Sequence, residues 1–186
     1  MKFLIASDLH GDLAAVDRLL EVFRLEGADR LVLLGDLLYH GPRNDLPKGY
    51  DPKGVIAALN GMKGQILAIR GNCDTEVDQM VLEFPILADY AVLSLPCDRL
   101  VYLTHGHRYN EEVPMPMGER DVMLHGHTHV AGATKCVGGQ LCLNPGSVSI
   151  PKGGTEPCYL LLEGNTFTQK TLADQRILDA FDISKG

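Results

Sequence analysis

The chain has 186 residues, 45% of them hydrophobic, and a formal net charge of −7 at pH 7. These values fit one globular domain with an ordinary core, and the diffuse acidic charge argues against binding of nucleic acid, which requires a clustered basic surface. No apolar run approaches the roughly 20 residues that span a bilayer, and the five cysteines lack a disulfide-framework spacing, so we expect a reduced, cytoplasmic protein without a membrane partner.

The first half of the chain predicts a β-loop-α unit that occurs three times. Continuous apolar runs, which are typical of buried strands, occupy residues 2–6, 31–34 and 65–69. Apolar residues at helical spacing follow each run: from residue 13 to Gly27, with Asp12 as the expected cap, and then at 55–59 and 77–82. Three successive units of this kind favour parallel strands joined by crossover connections.

The second half predicts short strands separated by glycine, proline and asparagine, at residues 90–95, 99–104, 121–124, 140–144, 159–163 and 166–171. The last two strands, joined around Gly164 and Asn165, are expected to form a hairpin. We therefore expect two sheets packed face to face with helices outside. The segment 173–186 is amphipathic at best and carries no motif, whereas the loop 39–54, with three prolines and three glycines, is long enough to suggest a functional loop.

Polar signatures follow the predicted strands at the point where each strand ends. Seven residues share this placement: Asp8, His10, Asp36, Asn72, His105, His127 and His129. In open α/β sheets, sites form beyond the carboxyl ends of the strands, so these side chains are expected to converge although they are far apart in sequence.

Two carboxylates, four imidazoles and one amide are a donor set that suits a pair of divalent transition metals. One carboxylate can bridge two ions that lie roughly 3.5–4 Å apart. Two aspartates and two dications leave a charge of about +2, which suits an anionic phosphoryl group and a metal-bound hydroxide as the nucleophile.

The motifs that carry these residues occur in a fixed order: Asp8-x-His10, Gly35-Asp36, Gly71-Asn72-Cys73-Asp74, His105 and Gly126-His127-Thr-His129. This set resembles the signature of the calcineurin-like metallophosphoesterase family and covers residues 7–129 in the family's order. The resemblance implies an α/β fold, a four-layer αββα sandwich of two mixed sheets flanked by helices, in one domain over residues 1–186. It also implies manganese-dependent hydrolysis of phosphodiesters.

The resemblance further implies which residues hold each ion. The first metal would be bound by Asp8, His10, Asp36 and His129. The second would be bound by Asp36, Asn72, His105 and His127, with Asp36 bridging. We expect two divalent metal ions per chain. Mn²⁺ is the expected metal, and Zn²⁺, Fe²⁺, Ni²⁺ and Mg²⁺ are the alternatives.

Cys73 stands where much of the wider family has a histidine that is thought to contact the phosphate or protonate the leaving oxygen. A thiol is a weaker acid than imidazolium and brings no positive charge. We therefore predict a preference for diesters with good leaving groups over monoester dianions. Catalytic roles are assigned to Asn72, Cys73 and His105.

Several residues near these motifs have two readings. Arg43, Arg70 and His107 are predicted substrate contacts, although a solvated loop position is the default for Arg43 and for its neighbour His40. His125 lies beside two predicted ligands and is left open as a site residue. Asp74 either orients a ligand or caps the following helix.

Other segments are expected to be structural. Residues 144–147 read as a turn that supports the loops of the site. Cys97, Cys136, Cys142 and Cys158 read as small hydrophobes or incidental thiols. The sequence leaves open whether Met115 and Met117 edge a pocket or a subunit contact.

These observations predict a dinuclear-metal phosphodiesterase that acts on a small substrate. The first alternative is a phosphomonoesterase on the same site, and the second is a non-catalytic protein-binding scaffold, which the intact set of seven ligands disfavours. A nucleic-acid partner is not expected, and the sequence leaves a homo-oligomer open.

Overall fold

A computed structural model describes residues 1–184. The helices are α1 (Leu13–Leu25), α2 (Pro52–Asn60) and α3 (Glu76–Val81), with a 3₁₀ turn at Lys63–Gln65. The strands are β1 (Lys2–Ala6), β2 (Arg30–Leu33), β3 (Ile66–Ala68), β4 (Tyr90–Ser94), β5 (Leu100–Thr104), β6 (Val122–Leu124), β7 (Gly132–Lys135), β8 (Leu141–Asn144), β9 (Cys158–Glu163), β10 (Thr166–Thr171) and β11 (Ile177–Asp182).

The strands form two mixed sheets. The six-stranded sheet has the order β11-β10-β9-β1-β2-β3, in which β1, β2 and β3 are parallel and β9, β10 and β11 are antiparallel. The five-stranded sheet has the order β4-β5-β6-β8-β7, with β5, β6 and β8 parallel. The predicted parallel strands of the first half and the predicted β9–β10 hairpin are thereby confirmed.

Two edge strands are absent from the sequence-based prediction. β7 contains glycine, alanine, threonine and lysine, and β11 is mostly exposed, so neither has the apolar run that marks a buried strand. Residues 173–186 are amphipathic at best in the sequence-based prediction, which assigns no strand there and so misses β11; residues 185 and 186 lie outside the described part of the chain.

Strand alternation divides the core into layers. Ile5, Val32, Leu103 and Leu124 point into the space between the sheets, which is a continuous apolar layer. Their neighbours on β1 and β2 point to the other face of the six-stranded sheet, where the apolar sides of α1 and α2 cover them. The predicted two-sheet sandwich is confirmed.

The outer face of the five-stranded sheet is covered by the segment between β5 and β6. Met115 and Met117 of this segment pack with Met123 and Cys142, which point outward from β6 and β8. In the described residues this segment contains no helix, so a loop forms the fourth layer on this side. Both methionines therefore contribute to packing.

Cys136 and Cys142 form a disulfide across the β7–β8 turn. The interpretation of these two residues as separate small hydrophobes or incidental thiols is therefore wrong, and the reason is that the hairpin brings them together although no framework spacing marks them. Cys73, Cys97 and Cys158 are free thiols. Since a disulfide is favoured by oxidising surroundings, the cysteine pattern no longer supports a reducing compartment. Among the described helices, none has the length and apolar character that crossing a bilayer requires.

Helix α1 is fixed at both ends. Asp12 caps its start, as predicted, by accepting a hydrogen bond from the Ala15 backbone N–H at 3.1 Å. At its end the Glu26 carboxylate accepts hydrogen bonds from the Tyr159 hydroxyl, at 2.6 Å, and from the Lys170 ammonium group. Burial favours a raised pKa for Glu26, but the bonds from Lys170 and Tyr159 outweigh it and hold this pKa below its ordinary value.

We expect Glu26→Gln to lower the free energy of unfolding by about 1 kcal/mol at neutral pH. The reason is that a neutral amide replaces the carboxylate that accepts hydrogen bonds from Lys170 and Tyr159 at a partly exposed site. The folded pKa of Glu26 lies below the ordinary value of 4.5, so its stabilising contribution is complete above pH 4.5 and is lost as the pH falls through the folded pKa. Urea unfolding of both proteins across this range measures the difference. The control is Glu21→Gln, which removes an exposed ion pair with Arg18. A difference that stays constant down to the lowest pH would contradict the assignment.

Candidate metal centre

The seven predicted residues meet at one end of the sandwich, where the carboxyl ends of the parallel strands of both sheets lie together. The loops after β1, β2 and β3 supply Asp8, His10, Asp36 and Asn72, and the loops after β5 and β6 supply His105, His127 and His129. Five of the seven are buried, while Asn72 is exposed and His127 is partly exposed. The donor set is therefore mostly enclosed, with its open side at Asn72 and His127.

The backbone of this set is strained. Five of its residues have a positive φ: Asp8 at 57°, His10 at 48°, Asp36 at 57°, His127 at 67° and His129 at 61°. Aspartate and histidine tolerate this region better than most side chains, and such strain gathers at functional sites. Backbone bonds between the loops hold the conformation, with Asp8 N–H donating to Gly35 O at 3.1 Å and His10 N–H donating to Asp36 O at 2.9 Å.

Gly126 lets the two sheets approach each other at the centre. A Cβ atom there would lie 1.9 Å from Ser7 Oγ and 2.6 Å from Asp8 Oδ2, distances that no side chain permits. The next residue, His127, donates its backbone N–H to Asp8 Oδ2 at 2.9 Å. A glycine at this position is therefore required for the loop after β6 to reach the loop after β1.

Asp8, His10 and His129 form the first donor group. His10 Nδ1 lies 2.8 Å from Tyr39 O, and His129 Nδ1 lies 2.7 Å from Ile150 O. A carbonyl oxygen only accepts, so both Nδ1 atoms carry the hydrogen and each neutral ring presents a lone pair at Nε2. The two Nε2 atoms are 3.1 Å apart, and Asp8 Oδ1 lies 3.6 Å from His10 Nε2 and 3.3 Å from His129 Nε2.

Electron pairs face one another in this way only when a cation or a proton lies between them. Within residues 1–184, Asp8 Oδ1 has no hydrogen-bond partner although it is fully buried, and the ligand atoms of the three residues lie within 4.8 Å of one another. These residues therefore fit a metal ion by their chemistry as well as by their spacing.

Asp36, His105 and Asn72 form the second donor group. His105 Nδ1 donates a hydrogen bond to Leu34 O at 2.7 Å, so its Nε2 is again the nitrogen that can bind a metal ion. This Nε2 lies 3.0 Å from Asn72 Oδ1 and 3.4 Å from Asp36 Oδ2. Asp36 Oδ2 also lies 3.8 Å from His10 Nε2 in the first group. One carboxylate oxygen thus stands between the two groups. The His127 ring is 5.2 Å from the His105 ring, centroid to centroid.

The charges of the centre are strongly coupled. Burial favours a raised pKa for Asp8 and Asp36, but the neighbouring imidazoles outweigh it and both carboxyl pKa values lie below their ordinary range. Burial by itself lowers the pKa of His105, and the carboxylates of Asp36 and Asp8 raise it to about 9. Without a cation, its Nε2 therefore holds a proton that faces Asp36, and a bound metal ion would take the place of that proton. The two aspartates are therefore ionised throughout the neutral range.

Asp74 holds the loop that carries Asp36. Its buried carboxylate accepts three backbone N–H bonds, from Asp36 at 2.8 Å, Leu37 at 2.9 Å and Gly71 at 2.7 Å. Helix α3 is capped by Thr75 instead, in a reciprocal pair with Asp78. Of the two readings of Asp74, orientation of a ligand is the one that the contacts support.

The turn after β8 supports the other side of the centre. Ser147 and Ser149 each donate a hydroxyl bond to the Asp8 carbonyl, at 2.7 and 2.8 Å. Asn144 donates to Gly126 O at 3.0 Å and to Thr128 Oγ1 at 2.9 Å. The expected supporting role of residues 144–147 is confirmed, and Ser149 extends it; the one sequence signal for Ser149 is its place after a strand that ends near the site.

The cleft above the donor groups is small and polar, with a volume of about 50 Å³. Arg43, Asn44, Asn72, Cys73 and Lys152 line it, together with His10, His127 and His129. Lys152 is absent from the sequence-based prediction because it belongs to no motif; its ammonium group donates to Asn44 Oδ1 at 3.1 Å and so joins the loops on the two sides of the cleft.

The remaining candidates take different positions. Arg70 is directed at the start of α3, where its Nε donates to Asp74 O at 3.2 Å, and it does not line the cleft. His107 is exposed, with its ring 5.4 Å from that of His105. His125 is buried and turned away from the donor groups, with Nε2 3.1 Å from Glu111 Oε2.

Residues 1–166 match the family model described as the calcineurin-like phosphoesterase superfamily domain. The chain belongs to this superfamily. The chain is 47% identical over 178 residues to the phosphodiesterase YfcE of Escherichia coli K12, and the alignment covers 96% of each chain. It is 27% identical over 153 residues to the phosphodiesterase MJ0936 of Methanocaldococcus jannaschii, which covers 78% of this chain and 83% of that relative.

A solved structure of the E. coli phosphoesterase YfcE superposes with a TM-score of 0.93 at 45% identity, covering 98% of this chain and 100% of the other. The predicted family and its two-sheet fold are therefore confirmed. The calcineurin-like phosphoesterases are hydrolases, so the predicted enzyme class is confirmed as well.

We expect Asp74→Asn to weaken Mn²⁺ binding by about 10- to 100-fold, as is typical for groups that orient metal ligands. An amide has one acceptor oxygen, so at least one of the three buried N–H groups loses its partner, and the free energy of unfolding falls by roughly 1–3 kcal/mol. Isothermal titration with Mn²⁺ measures the affinity. Asp78→Asn, in the exposed cap of α3, is the matched control, and equal affinities for the two variants would contradict the role given to Asp74.

Proposed function

We propose that the protein is a dinuclear-metal phosphodiesterase that hydrolyses small phosphodiesters. The observation that carries the proposal is the convergence of the Nε2 atoms of His10 and His129 on each other and of His10 and His105 on Asp36 Oδ2, which stands between the two groups. The first ion would be held by Asp8, His10, Asp36 and His129. The second would be held by Asp36, Asn72, His105 and His127.

When bound, two such ions supply an acidified water and positive charge for the phosphoryl oxygens. The side chains around them orient the substrate. The Asn72 amide and the cations of Arg43 and Lys152 line the cleft and are placed to bind nonbridging oxygens. Mixed imidazole and carboxylate donors support a Mn-type ion, with Zn²⁺, Fe²⁺, Ni²⁺ and Mg²⁺ as alternatives.

The preference for diesters rests on Cys73. Burial first, and then the charge and hydrogen bond of Asp36, raise the pKa of its thiol, so the side chain stays neutral beside the cleft. A neutral thiol adds no charge to offset a monoester dianion. The names of the relatives, YfcE and MJ0936 among the phosphodiesterases, support the same substrate class.

After chelation and reloading with each divalent ion in turn, we expect kcat/KM for bis(p-nitrophenyl) phosphate to exceed that for p-nitrophenyl phosphate by about tenfold or more, with Mn²⁺ the best activator. Asp36→Asn should lower the diester rate by roughly a hundredfold to a thousandfold, because the substitution removes the negative charge of the one carboxylate that both donor groups share. Asp45→Asn, an exposed carboxylate of the same loop, is the control.

Each alternative makes a different prediction for this assay. A higher rate with the monoester would support a phosphomonoesterase. The absence of hydrolysis with every ion, combined with fewer than two metal ions bound per chain, would support a protein-binding scaffold.

We expect Cys73→His to raise the rate with the monoester relative to the diester, since an imidazolium adds a positive charge and a stronger acid at the cleft. Steady-state kinetics with both substrates gives the ratio. Cys97→His, at a partly buried position in the β4–β5 turn, is the control for a new imidazole away from the cleft. An unchanged ratio in Cys73→His would show that this position does not set the substrate class.

A further inference from the structure

A second cavity adjoins the metal centre. Its volume is about 430 Å³, within the usual range of small-ligand pockets, whereas the polar cleft over the donor groups measures about 50 Å³. We call this cavity the tyrosine pocket; its walls include Tyr39, Tyr50, Ile56, Cys73, Val77 and Val81.

The polar cleft is too small to hold a whole diester. A volume of about 50 Å³ has room for only a few water molecules, since one needs about 10–15 Å³ by the same measure. It has room for phosphoryl oxygens but not for the two organic groups that a diester carries. Those groups must lie in neighbouring space.

The tyrosine pocket lies directly beside the cleft. Cys73 lines both, so its side chain forms the boundary between them. The wall is also tied to the donor groups, because the Tyr39 carbonyl accepts the Nδ1 bond of His10 and the Tyr50 ring packs against the backbone of Gly11. The pocket and the donor groups are therefore neighbours on the two sides of Cys73.

The wall is aromatic and ordered. The His40 ring stands edge-on to Tyr39, with centroids 4.8 Å apart, and edge-on to Tyr50, with centroids 5.4 Å apart. Such edge-to-face contacts are favourable, and they hold the rings in place before any ligand arrives. Flat, fixed aromatic faces of this kind suit a flat ring as their occupant.

Apolar residues at the rim are left open to solvent. Tyr39 is 42% exposed, Val77 68% and Val81 42%, although they are neighbours around one cavity. Contiguous exposed apolar groups mark a binding surface. Their position beside the catalytic cleft favours a substrate group as the occupant.

We infer that the tyrosine pocket is a substrate subsite that receives an aromatic ring carried by one of the ester groups of the diester, such as an aryl group or a nucleoside base. The inference rests on the proposed diesterase function. In this arrangement the polar cleft binds the phosphate, which is common to all diesters, and the tyrosine pocket selects among them by their organic group.

The test compares a ring-bearing diester with a ring-free one. Bis(p-nitrophenyl) phosphate is followed by absorbance, and bis(2,2,2-trifluoroethyl) phosphate is followed by fluorine NMR, both in the Mn²⁺-loaded enzyme. We expect Val77→Asp to lower kcat/KM for the ring-bearing diester by about tenfold, mainly through KM, because a charge at the rim opposes apolar contact. The ring-free diester, which has the same charge, should change by less than about twofold.

Two further variants sharpen the result. Val77→Phe keeps the rim apolar and should retain the preference for the ring-bearing diester. Val137→Asp places the same charge on an 80% exposed valine of the β7–β8 turn, which does not line the pocket, and should leave both rates unchanged.

The outcomes separate the subsite from the proposed function. An equal effect of Val77→Asp on both diesters, or no effect on either, would overturn the subsite while leaving the diesterase in place. If either of these outcomes is accompanied by a lower molecular mass in sedimentation for Val77→Asp than for the unmodified enzyme, the pocket would instead be assigned to contact with a second copy of the chain. Failure of the unmodified enzyme to hydrolyse either diester would overturn the proposed function, and the subsite with it.

Discussion

Three backbone carbonyl oxygens determine the chemistry of the centre. Tyr39 O, Ile150 O and Leu34 O accept the Nδ1 hydrogens of His10, His129 and His105. Each bond places a hydrogen on Nδ1, turns the ring and directs Nε2 toward the carboxylates of Asp8 and Asp36, where it can bind a proton or a cation. The same imidazoles with the opposite tautomer would present N–H groups to one another, and no cation would be bound there.

The carbonyls themselves are held by the loops of the strand ends. Asp74 gathers three N–H groups of two loops, Ser147 and Ser149 fix the carbonyl of Asp8, and Gly126 admits the loop from the opposite sheet. The positive φ angles of five donor residues are stable only inside this frame. Strain, buried charge and facing lone pairs are all costs, and they occur together where a cation would relieve them.

The sequence predicts this frame well where the signal is local. A buried apolar run followed by an aspartate, histidine or asparagine predicts both a strand and the position of a metal-binding side chain. All seven residues predicted in this way meet at one place in the structure. The Asp12 cap and the β9–β10 hairpin follow from equally local rules. Family order, rather than geometry, favoured His127 and His129 over His125, and the structure turns His125 toward Glu111.

Features that depend on distant contacts could not be read from the chain. Lys152 reaches the cleft only because the turn after β8 folds back on the loop that contains Asn44. The Cys136–Cys142 disulfide depends on pairing of β7, an exposed edge strand with no apolar pattern. The tyrosine pocket joins Cys73, which belongs to a motif, to residues of the 39–51 loop, α2 and α3 that the fold alone brings beside it.

Gly126 has a consequence for the mechanics of the whole sandwich. Asp8 and His10 belong to one sheet and His129 to the other, and the absence of a side chain at Gly126 lets them share one site. A cation bound by these residues acts as a cross-link between the sheets, so its binding free energy is also free energy that holds the two layers together. Unfolding of the protein and release of the ion are then a single coupled equilibrium.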